Sequence, residues 1–257
     1  MAPNFRHGSG GVRVLLNHKD LSGILRDSSV EASVDTAETT TYRTSTGGAT
    51  RDKTFIPGHR DATANFDGLF DGSTAAVDQV IEDALGSATQ QRWTVGPEDD
   101  AIGRYAVLIL SDHTEFTISA PADDVVSATA AVQASNRRGG VWLAPLAART
   151  STGALTGVTD GSTTAGGSTA GAVAHLHVTA ISTASTAAPV VKVQHSSDGS
   201  SFTDLITFAA STAVGSQRGT ATGAVKETVR AIVTSFPGTT AKSATFAVAF
   251  ARNPRRS

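Results

Sequence analysis

The chain of 257 residues has no cysteine, one methionine and an aromatic content of only 5%. Without cysteine there is no disulfide framework, no thiolate metal site and no thiol nucleophile. This usage fits a protein made in a reducing cytoplasm. Charge is also sparse: Asp, Glu, Lys and Arg make up 17%, and the formal net charge is −2. That balance excludes a strong electrostatic partner for the chain as a whole. No apolar run approaches the length of a membrane span. The opening Met1-Ala-Pro-Asn-Phe-Arg-His has no apolar stretch able to serve as a signal peptide.

What the chain does have is Ala, Val, Thr, Ser and Gly. The apolar fraction of 39% comes mostly from Ala and Val, enough for packed cores, and the wealth of Thr, Ser, Gly and Val favours strands over helices. The length suits one large domain or two ordinary ones. The two halves differ in charge. Residues 1–150 carry 13 Lys and Arg against 19 Asp and Glu, a net −6, whereas residues 151–257 carry 8 against 4, a net +4. A basic nucleic-acid-binding domain does not look like the first half.

Alternation marks the strands. Val12, Val14 and Leu16 alternate with Arg13 up to a turn at Asn17-His18-Lys19-Asp20. Val30, Ala32 and Val34 oppose Ser29, Glu31, Ser33 and Asp35, which reads as a half-buried strand. A Thr-rich polar loop follows from Thr36 to Lys53, with Tyr42 as its lone apolar anchor. Loops of that length tend to be functional, or to order only on binding. After Phe55-Ile56-Pro57-Gly58 comes a second alternating strand, with Ala62, Ala64, Phe66 and Phe70 on one face and Asp61, Thr63, Asn65 and Asp67 on the other. Ser73 then caps an expected helix over about Thr74 to Leu85. Val77, Val80, Ile81, Ala84 and Leu85 form its inward stripe, Asp78, Glu82 and Asp83 its exposed side, and Gly86 its end.

Further strands are expected around Trp93 and Val95, over the continuously apolar Tyr105 to Leu110, around Phe116 and Ile118, over Val126 to Val132, and at Val141-Trp142-Leu143. Composition then changes. The chain reads as a β domain over 1–148, a Gly/Ser/Thr/Ala linker over 149–171, and a small antiparallel β-sandwich over 172–257 built from short strands with dense turn signals such as His195-Ser-Ser-Asp-Gly.

Catalytic chemistry is thin. Asp99-Asp100 and Asp123-Asp124 are sequence neighbours whose side chains diverge on extended backbone, so they read as solvated loop charges. His175 and His177 share one face of a strand, but no nearby carboxylate or cysteine supplies a third metal ligand. They read instead as a polar face turned to solvent or to a subunit neighbour. His59, Asp61 and Ser73 lack a nucleophile elbow. His7-Gly-Ser-Gly-Gly does not join a strand to a helix and is no phosphate cradle. Arg137-Arg138 is too small a basic patch for nucleic acid, and the basic Arg252 to Ser257 tail reads as solvated. No catalytic residue, cofactor or metal is expected.

The order of parts over about residues 10–145 resembles the tail tube protein (major tail protein) of long-tailed, siphovirus-type bacteriophages. The residues that carry the resemblance are the strand before the Thr-rich loop, Phe55-Ile56-Pro57-Gly58-His59-Arg60-Asp61, Phe66-Asp67-Gly68-Leu69-Phe70-Asp71, the helix, and Ala120-Pro121-Ala122-Asp123-Asp124-Val125-Val126. The resemblance implies a mainly β fold, a tail-tube-type sandwich with one flanking helix. It further implies hexameric rings stacked into a tube through which DNA passes without specific binding. Its partners would be copies of itself, the tape measure protein and tail-end proteins, in a virion tail assembled in the host cytoplasm. Residues 172–257 resemble an appended immunoglobulin-like or carbohydrate-module-like domain.

A channel for DNA should repel phosphate, so Glu31, Asp61, Thr63, Asn65, Asp67 and Glu115 are the expected lumen lining. Thr36, Thr39, Thr40, Thr41, Tyr42, Arg43, Arg51 and Lys53 belong to the expected inter-ring loop. The competing readings are a carbohydrate-binding or adhesion module, with few aromatics to support it, and another virion decoration protein.

Overall fold

A strand of 23 residues, Ser127–Arg149, runs through the whole molecule and contributes to each of its three hydrophobic clusters. The computed structural model describes residues 11–38, 55–70, 77–159, 168–182, 188–236 and 243–253. In its first half the strands are β1 (Arg13–Leu16), β2 (Lys19–Asp20), β3 (Leu25–Glu38), β4 (Phe55–Leu69), β5 (Gln91–Gly96), β6 (Tyr105–Ser119) and β7 (Ser127–Arg149), with helix α1 (Val77–Ala84) after β4. Two short strands follow, β8 (Gly153–Ala154) and β9 (Val158–Thr159). The rest are β10 (Ala172–Ile181), β11 (Val190–Ser196), β12 (Thr203–Thr207), β13 (Gly215–Ala221), β14 (Thr228–Ser235) and β15 (Ala244–Arg252). The fold is mainly β.

All the pairings are antiparallel. The larger sheet has ten strands, ordered β13-β10-β15-β7-β6-β5-β1-β2, with β4 also on β7 and β3 on β4. One edge of β7 is paired with β6 from Ser127 to Val141. Its other edge is shared: β4 takes Ser127 to Gln133, and β15 takes Val141 to Arg149. The chain on either side of residue 150 is therefore joined by backbone hydrogen bonds. The smaller sheet, β12-β11-β14 with β8 and β9 on β14, uses residues from the segment that composition marks as linker.

The strand pattern explains the packing. On β7, Ala130, Val132 and Ala134 face a first core with Ala62, Ala64 and Phe66 of β4, Trp93 of β5 and Ile109 of β6. Small side chains on β7 leave room for Phe66 and Trp93, which stack with centroids 4.1 Å apart. Further along, Val141, Leu143 and Ala144 enter a second core between the smaller sheet and β10, β15 and β7. Trp142, pointing the other way, joins Leu15, Ala106, Leu108, Val173, Ala247, Ala249 and Ala251 in a seam between the two halves. Two glycines make this possible. A Cβ on Gly96 would lie 2.5 Å from Trp142 Nε1, and one on Gly140 would lie 2.0 Å from the Phe250 carbonyl oxygen.

Two sequence expectations need adjustment, and a third is untested. The residues before Val77 that would hold the Ser73 cap lie outside the described residues. The inward stripe of the helix is shifted: Ile81 and Ala84 are buried as expected and Val80 packs on the core, but Asp78 is buried too, while Leu85 is 44% exposed. The cause is where the helix sits, with Asp78 and Ile81 closing over Leu21, Phe66, Phe116 and Ala130. Lastly, the outer part of β3 is exposed on both faces, Val34 at 45%. Its strand neighbour is β4, and β4 reaches β7 only from Thr63 onward. Beyond that point the hairpin projects past the core.

Candidate assembly surfaces

The register places the six expected lumen residues on one sheet face. Across β3-β4-β7-β6, Ser29, Asn65, Ala131 and Glu115 form one row, and Asp27, Asp67, Thr129 and Thr117 form the next. Glu31, Thr63 and Gln133 form a third, and Asp61 lies opposite Ser33. Residues opposed across a ladder point the same way. Glu31, Asp61, Asn65 and Glu115 are exposed and Thr63 and Asp67 half-buried, while Ala62, Ala64 and Phe66 between them are buried. Thus Asp27, Glu31, Asp61, Asp67 and Glu115 share a face, and no Lys or Arg occupies any of these register positions. Asp61 accepts a cross-strand hydrogen bond from Gln133 Nε2, and Asp67 accepts one from Thr129 Oγ1 at 3.2 Å.

At the far end of the same hairpin, Thr36 is exposed and lies opposite Pro57. Phe55 and Ile56 beside it are 53% and 57% exposed. The other expected inter-ring residues, Thr39, Thr40, Thr41, Tyr42, Arg43, Arg51 and Lys53, lie outside the described residues.

Several of the remaining candidates have structural partners. Asp100 accepts from the Leu146 amide at 2.7 Å and pairs with Arg13 at 3.1 Å. Asp99 accepts from the Ala101 amide at 3.0 Å. Asp124 accepts from the Val125 amide at 2.7 Å. Arg252 donates to the carbonyls of Val225, Lys226 and Glu227 instead of standing in solvent. Asp198 is held well below the usual carboxylate range by the Ser196 hydroxyl and the amides of Ser201 and Ser200, which order its turn. Phe202 has the Arg230 guanidinium 3.7 Å above its ring, so that face does not offer itself to a sugar.

His175 and His177 turn to neither solvent nor a neighbouring subunit; they are 1% and 0% exposed. On β10 they continue the row of Val173 into the seam, where they meet Thr94 of β5. Thr94 Oγ1 lies 2.7 Å from His177 Nε2 and 3.3 Å from His175 Nδ1. The Asn17 carbonyl, 2.6 Å from His177 Nδ1, can only accept. So Nδ1 carries the proton and Nε2 receives the Thr94 hydroxyl. Burial is the main force pushing both imidazoles toward the neutral form, His177 to about 4 and His175 well below its ordinary value. Among the described residues, no group of three or more His, Asp or Glu side chains is arranged to hold a metal ion.

Asn17 itself has φ +49, a conformation a turn residue of this type tolerates. Its side-chain oxygen accepts from the Arg92 amide and from Ser216 Oγ, each at 3.1 Å. Sequence reasoning missed this seam. It identified no strand at Gly215–Ala221, and the trace that existed, two histidines in phase with Val173, equally fits an exposed face.

No protein-family model and no curated protein matches the sequence. Among solved structures the chain is similar to one in the virion of a native gene transfer agent particle, at 17% identity and TM-score 0.37, over 48% of this chain and 91% of that one. It is similar to the SPP1 tail tube at 13% identity and TM-score 0.36, over 50% of this chain and 76% of that one. It is also similar to the SPP1 Dit protein, part of a hub adsorption apparatus, at 11% identity and TM-score 0.34, over 94% of this chain and 99% of that one.

Proposed function

We propose that the chain is a structural subunit of a phage virion tail that assembles with copies of itself into stacked, hexameric rings and so forms a tail tube for DNA delivery. The observation that carries this reading is the face shared by Asp27, Glu31, Asp61, Asp67 and Glu115, acidic and without a cation at its register positions. Such a face repels phosphate and offers DNA no binding site. The β3–β4 hairpin, which carries all of these residues but Glu115, projects beyond the core with Val34, Phe55 and Ile56 exposed. Joining such edges between subunits into a closed barrel would pair their backbone groups.

On this reading residues 1–148 form the tube wall, residues 149–171 connect, and residues 172–257 decorate the outside. The Thr-rich loop reaches the adjacent ring, and the tape measure and tail-end proteins are the other partners. The role is geometric, with no catalysis. Electron microscopy of the purified protein at rising concentration tests the proposal. Rings or tubes with a central channel are expected; compact particles without a channel, in the presence of tail-end proteins as initiator, would overturn it.

A further inference from the structure

Eight large apolar side chains are exposed among the described residues, and five of them sit at the two ends of one four-stranded stretch, β3-β4-β7-β6. Val34, Phe55 and Ile56 lie at one end, Ile118 and Val125 at the other. The register sets these ends apart. Leu69 of β4, Ser127 of β7 and Ser119 of β6 form one row. Phe55 stands at the opposite terminus of the 15-residue β4, about 45 Å away along the strand.

The β3–β4 ladder continues as far as Glu38 opposite Phe55, so a two-stranded ribbon carries the first patch off the core. In the second, every residue from Thr117 to Val125 is exposed, in and beside the turn that joins β6 to β7. Apolar surface held out in this way marks a contact with another molecule. Charge says which molecule. From Tyr105 to Asn136 the sequence has no Lys or Arg, so the turn and its two strands carry Asp112, Glu115, Asp123 and Asp124 without a cation. Residues 39–54, which link β3 to β4, carry Arg43, Arg51 and Lys53 against Asp52, a net +2. With Asp35, Glu38 and Arg60 of the flanking strand ends included, the excess is still +1. Like ends therefore repel and unlike ends attract. Two copies meet in the same sense, in a heterologous contact that repeats along an axis instead of closing on a pair.

We propose that Val34, Phe55 and Ile56 of one copy dock on Ile118, Val125 and the Asp123-Asp124 turn of a second copy, head to tail. The contact rests on the tail tube reading for its role, joining one ring to the next, and it names the surface that receives the hairpin.

The chain has no cysteine, so engineered thiols report the contact directly. Phe55→Cys and Val125→Cys chains are mixed and oxidised, and the products are separated on a non-reducing gel. A linked heterodimer is expected, at several times the yield of Phe55→Cys mixed with Thr234→Cys, an exposed position in the second half. The double variant Phe55→Cys/Val125→Cys is expected to give a ladder of dimers, trimers and longer chains. Adding Asp123→Lys and Asp124→Lys should cut the heterodimer yield several-fold. Ile56→Cys with Ile118→Cys repeats the test where either first variant does not fold. A yield no higher than the control would overturn the proposal, even where rings stack. So would Phe55→Cys linking to itself as readily as to Val125→Cys. The ladder without rings or a channel in electron microscopy would instead overturn the tail tube reading and leave the head-to-tail contact standing.

Discussion

His177 donates from Nδ1 to the carbonyl of Asn17 at 2.6 Å, joining positions 160 residues apart in the chain. Around that bond Thr94, Arg92 and Ser216 complete a polar cluster that four separate segments must build together. It forms only when β10 and β13 lie on β5, so it reports whether the two halves are docked.

Acid should undock them. In an unfolded chain the imidazole of His177 titrates near its ordinary value of 6.5; in the folded chain burial lowers it to about 4, and Arg92 pushes the same way. Above pH 6.5 both states are neutral and the full stability is present. As pH falls from 6.5 toward 4 the unfolded chain takes up a proton that the folded chain excludes. Stability falls by about 2–3 kcal/mol from this group, and His175 adds to the loss. Urea unfolding midpoints between pH 7 and 4 check this. His177→Gln should be less stable at pH 7 but show a flatter profile.

Gly140→Ala should damage the junction of β7 with β15. The added carbon would sit 2.0 Å from the Phe250 carbonyl oxygen, and backbone cannot move aside as a flexible side chain does. A loss of about 3 kcal/mol or more is expected, read as a lowered Tm. Gly199→Ala, with open space around it but φ +69, should cost only about 1 kcal/mol.

Phe66→Ala should cost about 3–5 kcal/mol, because Phe66 is 2% exposed and stacked on Trp93. Near-ultraviolet circular dichroism should lose the Trp93 signal along with the stability.

Charge reversal of Glu31, Asp61 and Asp67 to lysine tests the lumen assignment. The first two are exposed and Asp67 half-buried, so folding and tube formation should survive. DNA ejection from assembled particles should slow several-fold. Normal ejection would remove these residues from the channel.

Deleting Thr39 to Ala49 tests the inter-ring role of the loop. Folded subunits or single rings that do not elongate are expected by electron microscopy, and tubes of ordinary length would refute it.

Much of the β architecture was legible because alternation has a period of two and needs only one buried face to show. Ala62, Ala64 and Phe66 announced both the strand and the polar row opposite. Tyr105 to Leu110 announced a strand covered on both sides, and Ala106 to Ile109 are buried. Asp78 illustrates what was not legible: a carboxylate at the edge of an amphipathic helix counts as exposed until the position of its neighbours is known. The seam was hidden for a similar reason. Gly215–Ala221 has no apolar alternation, since its strand face meets other polar groups, and a polar strand reads as a loop. The sharing of β7 between β4 and β15 was equally invisible, because pairing partners on one edge leave no periodic mark.

That sharing has a mechanical consequence. Load applied to the second half would enter the first along β7, a covalent beam continuous from Ser127 to Arg149. The β7–β15 ladder, spread over Ala244 to Phe250, would then be pulled lengthwise, so that its hydrogen bonds resist together instead of opening one after another. A part hung on a flexible tether could swing freely; this one is braced against the first half of the molecule.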